Sequence, residues 1–294
     1  MRLPSATFHL QTGVEAQDFA SLYTYRFECL NTELGRFMIA VFFALSQEIA
    51  SLKSKVNILK KMRYANATFY QSEFCGFPLT LVQTGIGKNV SEIIQYLSKC
   101  FRIQLMVSSG FAGSVNPEVG VGDLVIGKHV LYSSQEELER EIQIDSTLSC
   151  DTSIADLAVR LCNNEVFKSH YGNILTVNKI IRHASLKKHV GNQTSAIAVD
   201  MESFAIAERA HAMGIPFVVT RAISDGVDED LEIRENMVTE GGNINISATA
   251  RHLLNKPHHI PYLNRLRKQT KSATDTLSAF FPNFITQIYN SLLT

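Results

Sequence analysis

Residues 198–225 read AVDMESFAIAERAHAMGIPFVVTRAISD, a helix pattern followed by a strand pattern. Asp200–Met213 carries apolar residues at helical spacing, and Gly214 follows where a left-handed backbone costs glycine least. Pro216–Ile223 is a nearly continuous apolar run, which is typical of a strand buried on both faces. This stretch predicts a helix that begins at Asp200, a turn at Gly214, and a strand inside a mostly parallel, covered sheet.

The same alternation of strand and helix patterns extends over residues 36–255, and such alternation favours one layered α/β unit. The remaining predicted strands are Phe37–Leu45, Ala65–Glu73, Leu79–Thr84, Ile103–Ser109, Val121–Leu131 and Asn173–Ile181, with Cys75–Pro78 as a turn. The remaining predicted helices are Gln47–Lys55, Val90–Cys100 and Ser153–Asn163. Residues 1–35 are predicted to be an N-terminal extension of unknown role, and residues 256–294 a C-terminal helical extension.

Composition narrows the classes of partner and compartment. The 294 residues include 28 Lys and Arg and 28 Asp and Glu, so the formal net charge is zero and nucleic acid is not an expected partner. Five cysteines, an odd and widely spaced set, indicate reduced thiols and predict a cytoplasmic protein. The longest apolar run, Phe37–Leu45, is far shorter than the ~20 residues of a spanning helix, so there is no strong membrane signal.

The C-terminal segment combines a basic stretch between Arg251 and Lys271 with an apolar set that follows it. Packing on the core is the favoured interpretation, for example as a helical hairpin; a dimer arm and a membrane-surface element are the alternatives. The apolar residues are Leu277, Phe280, Phe281, Phe284, Ile285, Ile288, Leu292 and Leu293.

Polar and glycine-rich segments follow several predicted strands, where ligand sites of open α/β sheets form. Taken singly, each has an ordinary explanation: Glu48 as a solvated helix residue, Asp200 and Glu202 as residues favoured by the helix dipole. His258 and His259 have no spaced partners, so no metal is expected. The segments, in order, are Glu48, Gly85-Ile86-Gly87-Lys88, Ser109-Gly110-Phe111-Ala112-Gly113, Val119-Gly120-Val121-Gly122-Asp123-Leu124-Val125, Ala198-Val199-Asp200-Met201-Glu202-Ser203 and Arg221-Ala222-Ile223-Ser224-Asp225.

In this order the segments resemble the nucleoside phosphorylase and nucleosidase superfamily, most nearly its 5′-methylthioadenosine/S-adenosylhomocysteine nucleosidase branch. The resemblance covers about residues 37–255 and implies a three-layer αβα sandwich. Its central sheet would be mixed, largely parallel, twisted and partly barrel-like. It also implies a purine nucleoside as the small-molecule partner, a homodimer or higher homo-oligomer, and no cofactor.

The resemblance also implies roles for matching residues. Asp225 corresponds to the aspartate that meets the purine at N7 and N6, Glu202 to the glutamate on the ribose hydroxyls, and Glu48 to the glutamate that handles the attacking water. The other residues it implies are Arg221 and Ser109 on the nucleophile side, Met201 along the sugar, Ile180 and Ile181 with backbone groups toward the base, and Gly110, Phe111, Ile86 and Ser224 in the substrate site.

The chemistry of the residues agrees with glycosidic cleavage, because a purine leaving group needs a proton and the sugar side needs negative charge and a nucleophile. Phe42–Glu48 supplies no arginine for a phosphate, and Glu48 would repel one, so hydrolysis is the predicted reaction. A phosphorylase with phosphate as co-substrate, one acting on a nucleoside with a bulky apolar 5′ group, and a non-catalytic nucleoside-binding protein remain the alternatives.

Overall fold

The computed structural model describes residues 38–85, 90–163, 165–232 and 260–293. Its strands are β1 (Met38–Phe43), β2 (Asn57–Tyr64), β3 (Ala67–Phe74), β4 (Phe77–Gln83), β5 (Ile103–Ser114), β6 (Leu124–Ser133), β7 (Ser146–Ser149), β8 (Ser169–Val177), β9 (Ala196–Asp200) and β10 (Phe217–Asp225). Its helices are α1 (Ser46–Lys53), α2 (Val90–Cys100), α3 (Thr152–Cys162), α4 (Ala184–Thr194), α5 (Ser203–Ala212) and α6 (Ile260–Leu293).

The strands form one mixed sheet in the order β10-β6-β8-β9-β5-β1-β4-β3-β2, with β7 on β6. An additional pairing of β10 with β5 closes β5, β10, β6, β8 and β9 into a ring. Half of the strand pairings in the described part of the chain are antiparallel, so the expected mixed sheet is present but is less parallel than the apolar runs predict. The ring accounts for two of the five antiparallel pairings, since β10 and β9 each pair parallel on one side and antiparallel on the other. The other three join β2 to β3, β3 to β4 and β6 to β7.

Helices cover both faces of the sheet, as the alternation of β1 illustrates. Met38, Ala40 and Phe42 join one buried cluster with side chains of α2 and α5. The residues that alternate with them, Ile39, Val41 and Phe43, join a second cluster with side chains of α1, α3 and α6. Successive side chains of a strand point to opposite faces. The sheet that contains β1 is therefore the middle layer of the expected αβα sandwich.

Several predicted boundaries are wrong. The strand predicted at Asn173–Ile181 is β8, Ser169–Val177, so Ile180 and Ile181 follow the strand and are not part of it. Asp200 ends strand β9 and does not begin a helix; helix α5 starts at Ser203. The turn after β3 is only Cys75-Gly76, both at positive φ, so Phe77 and Pro78 already belong to β4. Strands β2, β7 and β9 and helix α4 were not predicted as elements, because β2 is mostly exposed, β7 has four residues and α4 carries a lysine on its buried side.

Helix α6 is one continuous helix, not a helical hairpin, and one side of it is buried in the second cluster. Packing on the core is therefore confirmed for the part of the predicted apolar set whose side chains are described. No helix in the described part of the chain is long and apolar enough to cross a membrane. Residues 1–35 and the boundary predicted at 255 lie outside the described residues, and the division into three segments stays a prediction. The α6 residues buried in this cluster are Ala273, Leu277, Phe280, Phe281, Phe284, Ile285, Ile288 and Tyr289.

Candidate active site

A cavity of about 220 Å³ lies at the carboxyl ends of β1, β5, β8, β9 and β10, and we call it the central cavity. This is the edge at which α/β sheets bind ligands. Ile86 lies outside the described residues. The predicted site residues that line the central cavity are Glu48, Phe111, Ile180, Ile181, Met201, Glu202, Ser224 and Asp225.

Glu48 reaches the central cavity from the first turn of α1 and is 4% exposed, so the solvated-helix interpretation is wrong. Its Oε2 accepts hydrogen bonds from the backbone N–H of Ala44 (2.9 Å) and Leu45 (2.7 Å), and its Oε1 accepts one from Phe111 (2.7 Å). Burial raises the pKa of Glu48, and these donors and Arg221 partly offset the rise. The carboxyl is thus fixed in place as a hydrogen-bond acceptor.

Gly110 leaves the space that this carboxyl occupies. Its φ is +153°, and a Cβ there would lie 2.6 Å from Oε1 of Glu48. Gly110 is therefore part of the site through its lack of a side chain.

Arg221 is buried and does not form part of the wall of the central cavity. Its Nε donates to Asp200 Oδ2 at 2.7 Å, and its Nη2 donates to the hydroxyls of Ser108 and Ser203, each at 2.8 Å. Asp200 also accepts from Thr176 Oγ1 at 2.7 Å. This network anchors the end of β9, and the guanidinium still lowers the pKa of Glu48 and of Glu202. The role of Arg221 on the nucleophile side stays a prediction.

Ser109 is placed similarly. It is buried in β5, its Oγ accepts a hydrogen bond from Thr220 Oγ1 at 3.0 Å, and it too is absent from the cavity wall. Phe111, two residues further along β5, lines the cavity.

Glu202 is half-buried where the central cavity meets a second cavity of about 680 Å³, which we call the outer cavity. Loss of hydration, followed by the carboxylates of Asp200 and Glu48, raises the pKa of Glu202 to about 8, against the opposing effect of Arg221. Met201 borders both cavities as well. A ligand that occupies both cavities would therefore pass Met201 and Glu202.

Asp225 ends β10 with a carboxyl that is paired on both oxygens. Oδ1 accepts from Ser224 Oγ at 2.9 Å, and Oδ2 accepts from the ammonium of Lys187 at 2.5 Å. A Cβ on Gly113 would lie 2.9 Å from Oδ2, so this glycine too makes room for a carboxyl.

Sequence reasoning missed Lys187, which contacts Asp225, and the wall residues Lys179 and Leu231. Lys187 lies on α4, and no part of its side chain is exposed. The buried positions of α4 are Lys187, Val190 and Thr194, which share one face of a helix. A lysine on the same helix face as Val190 and Thr194 could have indicated a buried lysine, but only after α4 had been recognised as a helix.

Metal ligation has no support among the described residues, where no group of three or more His, Cys, Asp or Glu side chains could hold an ion. His258 and His259 lie outside these residues.

Comparison with known proteins gives consistent relatives. The family model of the phosphorylase superfamily matches residues 38–255. The 5′-methylthioadenosine/S-adenosylhomocysteine nucleosidase of Staphylococcus saprophyticus is 30% identical over 204 residues, which are 67% of this chain and 90% of the relative.

Solved structures show the same fold. The corresponding nucleosidase of Neisseria meningitidis, in complex with methylthio-immucillin-A, matches with a TM-score of 0.64 and 20% identity, over 85% of this chain and 99% of that one. The S-adenosylhomocysteine nucleosidase of Streptococcus pyogenes matches with a TM-score of 0.62 and 22% identity, over 86% and 99%. From residue 38 to residue 255, this chain belongs to the phosphorylase superfamily.

Proposed function

We propose that this protein hydrolyses the N-glycosidic bond of adenine nucleosides. In this proposal Asp225 is the acid to the base, Glu202 binds the ribose hydroxyls and Glu48 activates the water. The observation that carries the proposal is that these three carboxyl groups line one cavity of about 220 Å³.

The reaction requires this division of work. As the bond from C1′ to N9 breaks, negative charge develops on the purine and positive charge on the sugar, so a proton donor must face the base and carboxylates must face the sugar. Ile180 and Ile181 line the same cavity beside Asp225 and offer apolar surface for a purine.

Water is favoured over phosphate as the nucleophile because the Glu48 carboxyl already occupies the backbone N–H donors that could bind a phosphate. The backbone N–H groups of Ala44, Leu45 and Phe111 all donate to Glu48, and such groups are what would otherwise bind a phosphate. The guanidinium of Arg221 is directed at Asp200 and two serines.

For the 5′ group we propose that it enters the outer cavity, next to Met201 and Glu202. The relatives named above act on 5′-methylthioadenosine and S-adenosylhomocysteine, as their names state, and these thioethers are the first substrates to try. The stacked rings of Tyr132 and Phe204, with centroids 4.6 Å apart, supply apolar surface in this cavity.

The test is to incubate the protein with 5′-methylthioadenosine, adenosine and inosine, with and without phosphate, and to measure the free base. We expect adenine without phosphate. Strict dependence on phosphate would replace hydrolysis by phosphorolysis, and saturable binding without release of base would leave a nucleoside-binding protein.

Asp225→Asn should lower kcat by about 10²–10⁴, the usual contribution of a general acid. Its matched control is Asp228→Asn, since the Asp228 side chain is 71% exposed and pairs with Lys188 at the surface. Equal activity of the two variants would remove Asp225 from its proposed role.

We further propose a cytoplasmic homo-oligomer. The cysteines among the described residues, Cys75, Cys100, Cys150 and Cys162, are free thiols, which suits a reducing compartment. Light scattering coupled to size exclusion would measure the assembly, and cell fractionation would locate the protein.

A further inference from the structure

We infer that Lys187 is a positioning residue that supplies, through Asp225, the proton for the departing base. The inference rests on the proposed function, because it assigns a source to the proton that Asp225 delivers. It concerns a buried ion pair that joins helix α4 to the end of β10.

The surroundings of Lys187 suit an ammonium group. Its Nζ donates to Asp225 Oδ2 (2.5 Å), to the carbonyl of Gly226 (2.9 Å) and to the carbonyl of Glu229 (3.0 Å). An ammonium has three N–H donors and no acceptor, so three acceptors match it fully. Beside an ionised Asp225, a neutral amine would leave one of these buried oxygens without its donor.

A buried ion pair is a weak source of stability, since the loss of hydration offsets most of the attraction. A lysine that is 0% exposed beside the acid of the site therefore calls for another explanation. The carbonyls of Gly226 and Glu229 suggest one competing role, which is to hold the turn after β10. The experiment below separates the two roles.

The pairing also constrains the chemistry of Asp225. While Lys187 is an ammonium and Asp225 a carboxylate, the acid of the site has no proton of its own to give. When the bond from C1′ to N9 breaks, its electron pair moves into the purine and N7 takes a proton from the Asp225 carboxyl. Asp225 takes that proton from Nζ of Lys187, which becomes a neutral amine.

The proton is restored at the end of the cycle. Water adds its hydroxyl to C1′ and gives its other proton to Glu48, so the sum of the steps is ribose sugar plus base. Glu48 then releases one proton to solvent and Lys187 takes one up. No oxidant, metal or further reactant is needed.

The experiment compares two leaving groups in four proteins: wild type, Lys187→Met, Asp225→Asn and the double variant. Release of adenine from 5′-methylthioadenosine needs a proton on the base. Release of p-nitrophenolate from p-nitrophenyl β-D-ribofuranoside needs none, because that anion is stable. The double variant carries no unpaired buried charge, which protects its folding.

Lys188→Met is the matched control. Lys188 is the next residue of α4, its side chain is 55% exposed, and it pairs with Asp228 at 2.6 Å on the surface. We expect it to retain wild-type activity on both substrates.

For Lys187→Met we expect adenine release to fall by about 10² or more, with p-nitrophenolate release within about fivefold of the wild type. In the Asp225→Asn background the same change should have no further effect on adenine release, because Lys187 acts only through Asp225. If the wild type does not cleave the p-nitrophenyl riboside, the comparison of the single and double variants in adenine release is by itself the test of the role of Lys187.

Equal losses on both substrates, additive losses in the cycle, or an undiminished Lys187→Met variant would each overturn the role of Lys187. In all three cases the wild type still releases adenine, so the proposed function stands. A wild type that releases no base from any nucleoside would overturn the proposed function and, with it, the relay.

Discussion

The three carboxyl groups of the central cavity have three different environments. Glu48 accepts three backbone hydrogen bonds, Glu202 is half-buried near two other carboxylates, and Asp225 faces an ammonium. Chemically similar side chains acquire separate roles when their surroundings differ in this way. The differences arise from backbone donors and from residues on other elements, which is why the identity of the residues alone could not assign the roles.

Gly110→Ala tests whether the position of Glu48 matters. Its Cβ would stand 2.6 Å from Oε1 of Glu48 and must displace that carboxyl. Since a misplacement of about 1 Å can cost about 10² in rate, we expect a loss of that order in adenine release. Gly120→Ala is the control, because its Cβ would meet nothing closer than 3.7 Å. Similar activity of the two variants would contradict a role for the position of Glu48.

Glu202→Gln tests the raised pKa of Glu202, which is about 8 in the folded protein against an ordinary value of 4.5. Between these values the folded chain keeps a proton that the unfolded chain has released, so the free energy of unfolding falls as pH rises. Glutamine removes this dependence. Urea unfolding at about pH 5.5 and about pH 8 would measure the difference. The free energy of unfolding of the variant should rise relative to that of the wild type between the lower and the higher pH. A constant difference between the two proteins would refute the assignment.

At the scale of elements, the sequence predicts the helices and strands whose buried residues recur periodically. It does not predict elements or boundaries that depend on contacts with other parts of the chain. Helix α2 has the predicted bounds, Val90–Cys100, because its five buried residues recur at helical spacing. Strand β2 has no such signal, since its residues are mostly exposed. Asp200 was misplaced because its carboxylate serves an ion pair with Arg221, a contact that no local pattern contains.

Helix α6 contains a proline whose cost is partly offset from another element. Pro282 has no N–H for the carbonyl of Ser278, and Nζ of Lys55 donates to that carbonyl at 2.7 Å. Pro282→Ala should stabilise the protein by about 1–3 kcal/mol, measured by urea unfolding, since proline is about 3 kcal/mol worse than alanine inside a helix.

Lys55→Met should cost about 1 kcal/mol in the wild type, the usual contribution of a hydrogen bond. It should cost less in the Pro282→Ala background, where the backbone supplies the missing donor. Equal costs in the two backgrounds would mean that Lys55 does not compensate for the proline.

At the scale of the molecule, the site depends on closure of the strand ring. Because β10 pairs with both β5 and β6, Asp225 comes to lie beside Gly113, and α4, which precedes β9, comes to lie beside the end of β10. The order of segments and their likeness to a family predicted the layers and most of the cavity wall. Lys187 could not be predicted, because it is 38 residues from Asp225 in the chain and only the closed sheet joins them.

Helix α6 is either an integral part of the folded core or a segment that the rest of the fold does not need for its stability. Phe281 is fully buried, and its ring centroid lies 5.8 Å from that of Phe43, the last residue of β1. Phe281→Ala should therefore lower the free energy of unfolding by about 3–5 kcal/mol. Gln287→Ala, at an exposed position of the same helix, should change it by less than about 0.5 kcal/mol.

Urea unfolding followed by circular dichroism would measure both changes. A single transition that shifts for Phe281→Ala means that α6 completes the core that also carries Glu48, since Phe43 directly precedes the Ala44 and Leu45 donors. Small and equal shifts in the two variants would mean that residues 38–232 are stable without the helix, as a boundary at 255 implies.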